Sequence, residues 1–118
     1  MTTAAEDLVL VDRPRPGVAT VTLNRPQVRN AYDGAVIDGL IDAFTRLAGD
    51  ARVRGVLLRG NGRHFSAGAD LGWLKRVAAM PPAVNRDFSV RTVAAMRALH
   101  LFPQPTVALV HGGCFGGG

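Results

Sequence analysis

Two apolar runs, Val53-Arg-Gly-Val-Leu-Leu-Arg59 and Thr106 to Val110, read as strands, and residues 60–105 between them carry helical patterning. Strands joined through helix need a crossover, which sets them parallel in one sheet, and such crossovers are right-handed. Ahead of them, Leu8 to Val11 and Val18 to Leu23 read as the arms of a hairpin around the turn signal Arg13-Pro-Arg-Pro-Gly17. Pro26 stops the second arm. The order β, β, α, β, α, α, β is an α/β architecture.

The helices are expected from spacing. Asn30 or Asp33 caps the first, whose apolar positions Val36, Ile37, Leu40, Ile41, Phe44, Leu47 and Ala48 recur at intervals of three and four. Gly49-Asp50 ends it. A short helix over Leu71 to Met80, packed through Trp73 and Leu74, is halted by Pro81-Pro82. Another runs from Asn85 to Leu101, with Phe88, Val93, Met96 and Leu99 available to one face, and Pro103 and Pro105 close it.

With 118 residues, 47% of them hydrophobic, the chain holds one core, so 1–118 is read as part of a single domain. A charged fraction of 19% is too low for a disordered chain. No apolar stretch reaches the length of about 18–20 residues that a membrane helix needs, and the tail Met1 to Asp7 has no signal-peptide character. A single cysteine, Cys114, excludes an internal disulfide framework and fits a reducing compartment, so a cytoplasmic location is expected. Cys114 itself is read as a small buried apolar side chain. The net charge of +5 comes from scattered arginines without interleaved aromatics, a pattern that argues against nucleic acid and for a solvated surface with an anion-binding mouth.

Metal-ligand spacing is missing: there is no H-E-x-x-H, no cysteine pair and no E-x-x-H. The chain offers instead two strand-exit loops of small residues, Phe65-Ser-Ala-Gly-Ala-Asp70 and Phe115-Gly-Gly-Gly118. In open parallel sheets ligands sit beyond the carboxyl ends of strands, so if the two strands are neighbours both loops open on one edge. Two backbone N–H groups converging there make an oxyanion hole, and small residues are required because a bulky side chain would hold the carbonyl off. The glycine run also prepares a turn or a close backbone approach, for which a chain terminus has no use. The chain is therefore read as the front part of a longer protein.

Phe65-Ser-Ala-Gly-Ala-Asp-Leu71 with Gly-Trp-Leu-Lys-Arg76 resembles the first oxyanion-loop signature of the crotonase (enoyl-CoA hydratase/isomerase) superfamily. Pro105-Thr-Val-Ala-Leu-Val-His-Gly-Gly-Cys-Phe-Gly-Gly-Gly118 resembles the second loop, and Leu23-Asn-Arg-Pro-Gln-Val-Arg-Asn-Ala31 the segment after the second strand. The resemblance implies a crotonase-like spiral of ββα units, truncated here, and an acyl-CoA substrate whose coenzyme A is part of the substrate rather than a resident cofactor. It implies that the amides of Ala69 and Gly117 hold the thioester oxygen. Ala67, Gly68, Ala69, Asp70, Leu71 and Gly72 would line the CoA site, with Arg29 at its mouth. It also implies a homotrimer or hexamer, and hydration of an enoyl-CoA in fatty-acid or branched-chain catabolism. The segment Ala69 to Arg76 is similar to the branch acting on methylglutaconyl-CoA. Hydratases of this family take their acid/base glutamates from beyond the glycine triplet, and Glu6, the sole glutamate here, is no substitute. Isomerisation and other reactions of the superfamily thus remain alternatives, as does a non-catalytic CoA- or RNA-binding protein of the same fold.

Blander readings accompany these. His64-Phe-Ser-Ala-Gly68 lacks the first glycine of a G-x-S-x-G elbow, and His111-Gly-Gly113 follows it where a lipase loop would precede, so Ser66 is read as a small loop residue. His64, His100 and His111 are read as surface or locally bonded. Asp70 suits a helix N-cap as well as it suits a ligand contact.

Overall fold

Three kinds of signal, alternation, capping and proline, account for the elements of the computed structural model, which describes residues 8–118; the Glu6 tail lies outside the described residues. Val9–Arg15 (β1) and Val18–Leu23 (β2) pair antiparallel. β1 runs on through Arg13-Pro14-Arg15, residues expected in the turn. Proline is tolerated there because β1 is an edge strand, and the register shifts between Asp12 and Arg15. The turn contracts to Pro16-Gly17, with Gly17 at φ +84°.

A short 3-10 turn, Pro26–Val28, leads to the helix Gly34–Ala48 (α1). Asp33, not Asn30, is its cap: the carboxylate accepts the Val36 N–H at 3.0 Å. α1 buries Val36, Ile37, Ala43, Phe44 and Leu47. Gly55–Gly60 (β3) then pairs parallel with β2, starting two residues later than the apolar run. Asp70 caps Leu71–Ala78 (α2) by accepting the Trp73 N–H at 2.9 Å. The next helix, Pro82–His100 (α3), begins at Pro82 rather than Asn85. Proline at the first helical position lacks only an N–H that would have no partner anyway, so Pro81-Pro82 both stops one helix and opens the next.

Thr106–Ala108 (β4) pairs parallel with β3, completing the sheet order β1-β2-β3-β4. Ala19, Val21, Val56 and Leu58 of the sheet, Ala43, Phe44 and Leu47 of α1, and Val53 and Phe65 of loops form the core. Phe44 also meets Phe102 edge-on at 5.8 Å. Full burial of such a side chain is worth about 1.5–3 kcal/mol.

Three expectations of burial are corrected. On α3 only Ala95 is fully buried, with Ala98 and Leu99 half-buried against the core, while Val93 is 56% and Met96 39% exposed. Leu74, expected to pack α2, is half-exposed, whereas Trp73 beside it is buried against Tyr32 and Phe88. β4 is exposed along its length and Cys114 is exposed too, since no described element covers that edge of the sheet.

Candidate active site

The parallel pairing of β3 with β4 brings their exits together. Phe65 N–H donates to His111 O at 2.9 Å and to Gly113 O at 3.1 Å, Ser66 N–H to Gly113 O at 3.3 Å, and Phe115 N–H to Ser66 O at 3.0 Å. Ser66 and Cys114 thereby form a one-residue parallel bridge between the two small-residue loops. A β-carbon on Gly68, whose φ is +88°, would lie 2.7 Å from Phe115 O and 3.4 Å from the Gly117 nitrogen. Only glycine permits that approach.

The other side of the first loop is held by the segment after β2. Tyr32 N–H donates to Gly68 O at 2.9 Å, Asp70 N–H to Tyr32 O at 2.8 Å, and Ala67 N–H to Arg29 O at 2.9 Å. Ser66 Oγ accepts the Gly68 N–H at 3.1 Å and donates to Asn30 O at 3.0 Å. Buried backbone N–H groups are almost always paired, so the remainder is informative. From Phe65 to Asp70, the Ala69 amide alone has no acceptor among the described residues. The Gly117 amide has none either, a condition it shares with Gly112, Cys114 and Gly116.

Beside the first loop lies an open cleft of about 1010 Å³. Arg29, Ala67, Ala69, Asp70, Leu71 and Gly72 line it. Gly68 does not; it is buried, with its carbonyl spent on Tyr32. Arg29 is exposed and sits at φ +56°. Asp70 faces Arg25, with Nη1 to Oδ2 at 3.0 Å. The Trp73 N–H, and after it Arg25, hold its carboxyl below the ordinary range against the opposing effect of burial. Asp70 is thus a charged helix cap rather than an available proton donor. No three His, Cys, Asp or Glu side chains gather as a metal site among the described residues.

Two participants carry little sequence signal. Asn30 is buried, and its side chain accepts the Arg25 N–H and donates to Asn61 O and His64 O. Its φ of +56° is one that asparagine tolerates better than most residues. Tyr32 places its hydroxyl where a β-carbon on Gly117 would be, so this one residue meets the first loop through its backbone and the second through its side chain.

The sequence profile of the enoyl-CoA hydratase/isomerase family matches residues 13–118, nearly the whole chain. The chain belongs to that family. A Thermus thermophilus relative carrying an enoyl-CoA hydratase name is 39% identical over 101 residues, covering 86% of this chain and 40% of that protein. The mitochondrial Δ(3,5)-Δ(2,4)-dienoyl-CoA isomerase of Rattus norvegicus is 33% identical over 109 residues, 86% of this chain and 33% of its own. Among solved structures, an enoyl-CoA hydratase from Shewanella pealeana superposes with a TM-score of 0.87 at 33% identity, over 98% of this chain and 46% of that one. The expected mixed α/β, crotonase-type arrangement is the one these enoyl-CoA hydratase/isomerase structures share. The chain spans about 40% of the length of the first curated relatives it matches. No described helix is long and apolar enough to cross a membrane.

Proposed function

We propose that this enoyl-CoA hydratase/isomerase family member acts on an acyl-CoA thioester and that the amides of Ala69 and Gly117 receive the thioester oxygen. The observation that carries this reading is the unspent Ala69 N–H, in a loop whose other amides are all engaged, beside a cleft large enough for a nucleotide-bearing ligand. Gly68 lets the second loop close on the first, the Gly117 nitrogen lying 3.4 Å from where a Gly68 β-carbon would stand, with the Tyr32 hydroxyl against Gly117. Charge that develops on the oxygen as the thioester becomes enolate-like is then met by two fixed dipoles, which need not reorganise during the reaction. Ala67 and Ala69 to Gly72 face the pantetheine and adenine, and Arg29 a phosphate at the mouth.

Hydration of a 2-enoyl-CoA is the leading reaction and double-bond isomerisation the alternative. Both use the same enolate stabilisation and differ in where an acid/base group moves a proton. The family names of the relatives support both. The reading extends to a homotrimer or a pair of trimers, as the crotonase resemblance implies, and sedimentation of the protein tests that. For the site, Gly117→Pro deletes one donor amide. The expected loss in kcat is about 10²–10³-fold, or about 2.7–4 kcal/mol in the barrier. Unchanged turnover of a 2-enoyl-CoA in a folded Gly117→Pro protein overturns the assignment.

A further inference from the structure

A histidine lies ahead of each small-residue loop and bonds to the backbone of the opposite strand-exit segment. His64, ahead of the first loop, accepts the Gly113 N–H on Nδ1 at 2.8 Å. His111, ahead of the second, meets Gly62 O through Nε2 at 2.9 Å. The partners assign the tautomers: a carbonyl only accepts, so His111 Nε2 carries a proton, and an N–H only donates, so His64 Nδ1 is bare. The two bonds run in opposite directions between the same two segments.

His64 is a fixed post. Its carbonyl accepts from the buried Asn30 side chain at 2.9 Å. The following residue, Phe65, is pinned by two carbonyls of the second loop. The second loop is also shaped to admit the ring, since β-carbons on Gly112 and Gly113 would each lie 3.0 Å from Nδ1. Gly112 is at φ +58°, and a β-carbon there would collide with Arg63 O. The pair Gly112-Gly113 therefore serves close approach to an imidazole. The Gly113 peptide is gripped at both ends, its carbonyl by the amides of Phe65 and Ser66 and its N–H by His64. Past Phe115 the chain turns through Gly116, which has nothing within 4 Å of its β-carbon position. The stretch that presents Gly117 follows directly on this anchor, of which His64 is one half; the Phe115 N–H on Ser66 O and the Tyr32 hydroxyl beside Gly117 hold it further along.

We propose that His64 is a positioning residue: by accepting the Gly113 N–H it sets the second loop against the first and so fixes the separation of the Ala69 and Gly117 amides. This rests on the reading of those two amides as the thioester-oxygen donors. His64 also lines the cleft beside the first loop, but it touches no reacting atom in this assignment, and its positioning role runs through the second loop.

Asparagine and glutamine separate the acceptor's position from its chemistry. His64→Asn returns an oxygen near the place of Nδ1; His64→Gln moves it one bond outward, toward the place of Nε2. In the full protein, with a short 2-enoyl-CoA as substrate, His64→Gln is expected to lower kcat by about tenfold or more with KM within about twofold, the pattern of an interaction realised only in the transition state. Amide hydrogen exchange at Gly113 should quicken by a similar factor. His64→Asn should recover both to within about threefold of the parent. A glutamine variant with parental kcat and Gly113 exchange overturns the proposal, as does an asparagine variant as impaired as the glutamine one. If the parent protein turns over no enoyl-CoA, the donor reading fails by itself. Gly113 exchange then decides whether His64 sets the loop: quickening in the glutamine variant and recovery in the asparagine one sustain it, and unaltered exchange overturns it.

Discussion

Arg25 and Asp70 are 45 positions apart in the chain and 3.0 Å apart in space, Nη1 to Oδ2. The same guanidinium reaches Asp33 at 3.4 Å and the Ala31 carbonyl at 2.9 Å. One side chain therefore ties together the N-cap carboxylates of α1 and α2. All three groups are about four-fifths buried, so solvent screens the pairs only in part. Arg25→Met is expected to cost about 2 kcal/mol, between the values for exposed and buried pairs, read as a drop in the urea midpoint.

Asp70 gives that tie a pH dependence. Its carboxyl is lowered by the Trp73 N–H and by Arg25. A carboxyl lowered in the folded state stabilises fully above its unfolded value of about 3.9, and the contribution disappears as pH falls through the folded value. Urea midpoints taken from pH 5 downward should fall less steeply for Asp70→Asn than for the parent protein. Asp50, lowered to about 2 by the side-chain and backbone N–H groups of Arg52, adds the same acid dependence to parent and variant and so leaves the comparison intact. Parallel pH profiles of parent and variant would show that the Asp70 carboxyl contributes nothing through its charge.

Asn30 holds three backbone groups from two segments. Asn30→Ala leaves buried donors and acceptors unpaired, and a loss of about 2–3 kcal/mol is expected. Asn30→Asp turns an oxygen toward the carbonyls of Asn61 and His64 and should cost at least as much, despite its similar shape. Thermal and urea unfolding of both variants check the order.

Gly68→Ala tests the approach of the loops. The new methyl would stand 2.7 Å from Phe115 O at a φ of +88°. Strain of that kind costs about 1–3 kcal/mol. Because relief requires the second loop to retreat, enoyl-CoA turnover should fall by about tenfold or more even where the variant stays folded.

Arg29→Glu reverses the charge at the mouth of the cleft without touching the loop hydrogen bonds made by its carbonyl. KM for the acyl-CoA should rise by about fivefold with kcat unchanged, and the difference should shrink as salt is added. Equal KM values at low salt would remove Arg29 from the CoA contact.

Some elements could be read directly along the chain and some could not. α1 was visible because Val36, Ile37, Phe44 and Leu47 repeat at helical spacing behind Asp33. The crossover between β3 and β4 followed from the length of helix between them. The reach of β1 past Arg13 was hidden, since proline reads as a turn until the strand is known to be an edge. Pro82 reads as a stop along the sequence, because the same residue that ends a helix can begin one. Cys114 and β4 look like core by composition, and only the sheet order reveals that they lie on its uncovered side.

The sequence by itself determined the order of elements, the parallel sheet and the two loops of small residues, because these rest on period, capping and glycine content, which are local. Tertiary structure alone decided which amides stay unspent. Whether Ala69 N–H is free depends on where the carbonyls of Arg29, Tyr32 and Gly113 fall, and those come from segments far away in the chain. The hydrogen-bond partners of Asn30, Tyr32 and His64 are decided the same way. A hydrogen bond has a direction and a length, and neither is written in the spacing of residues.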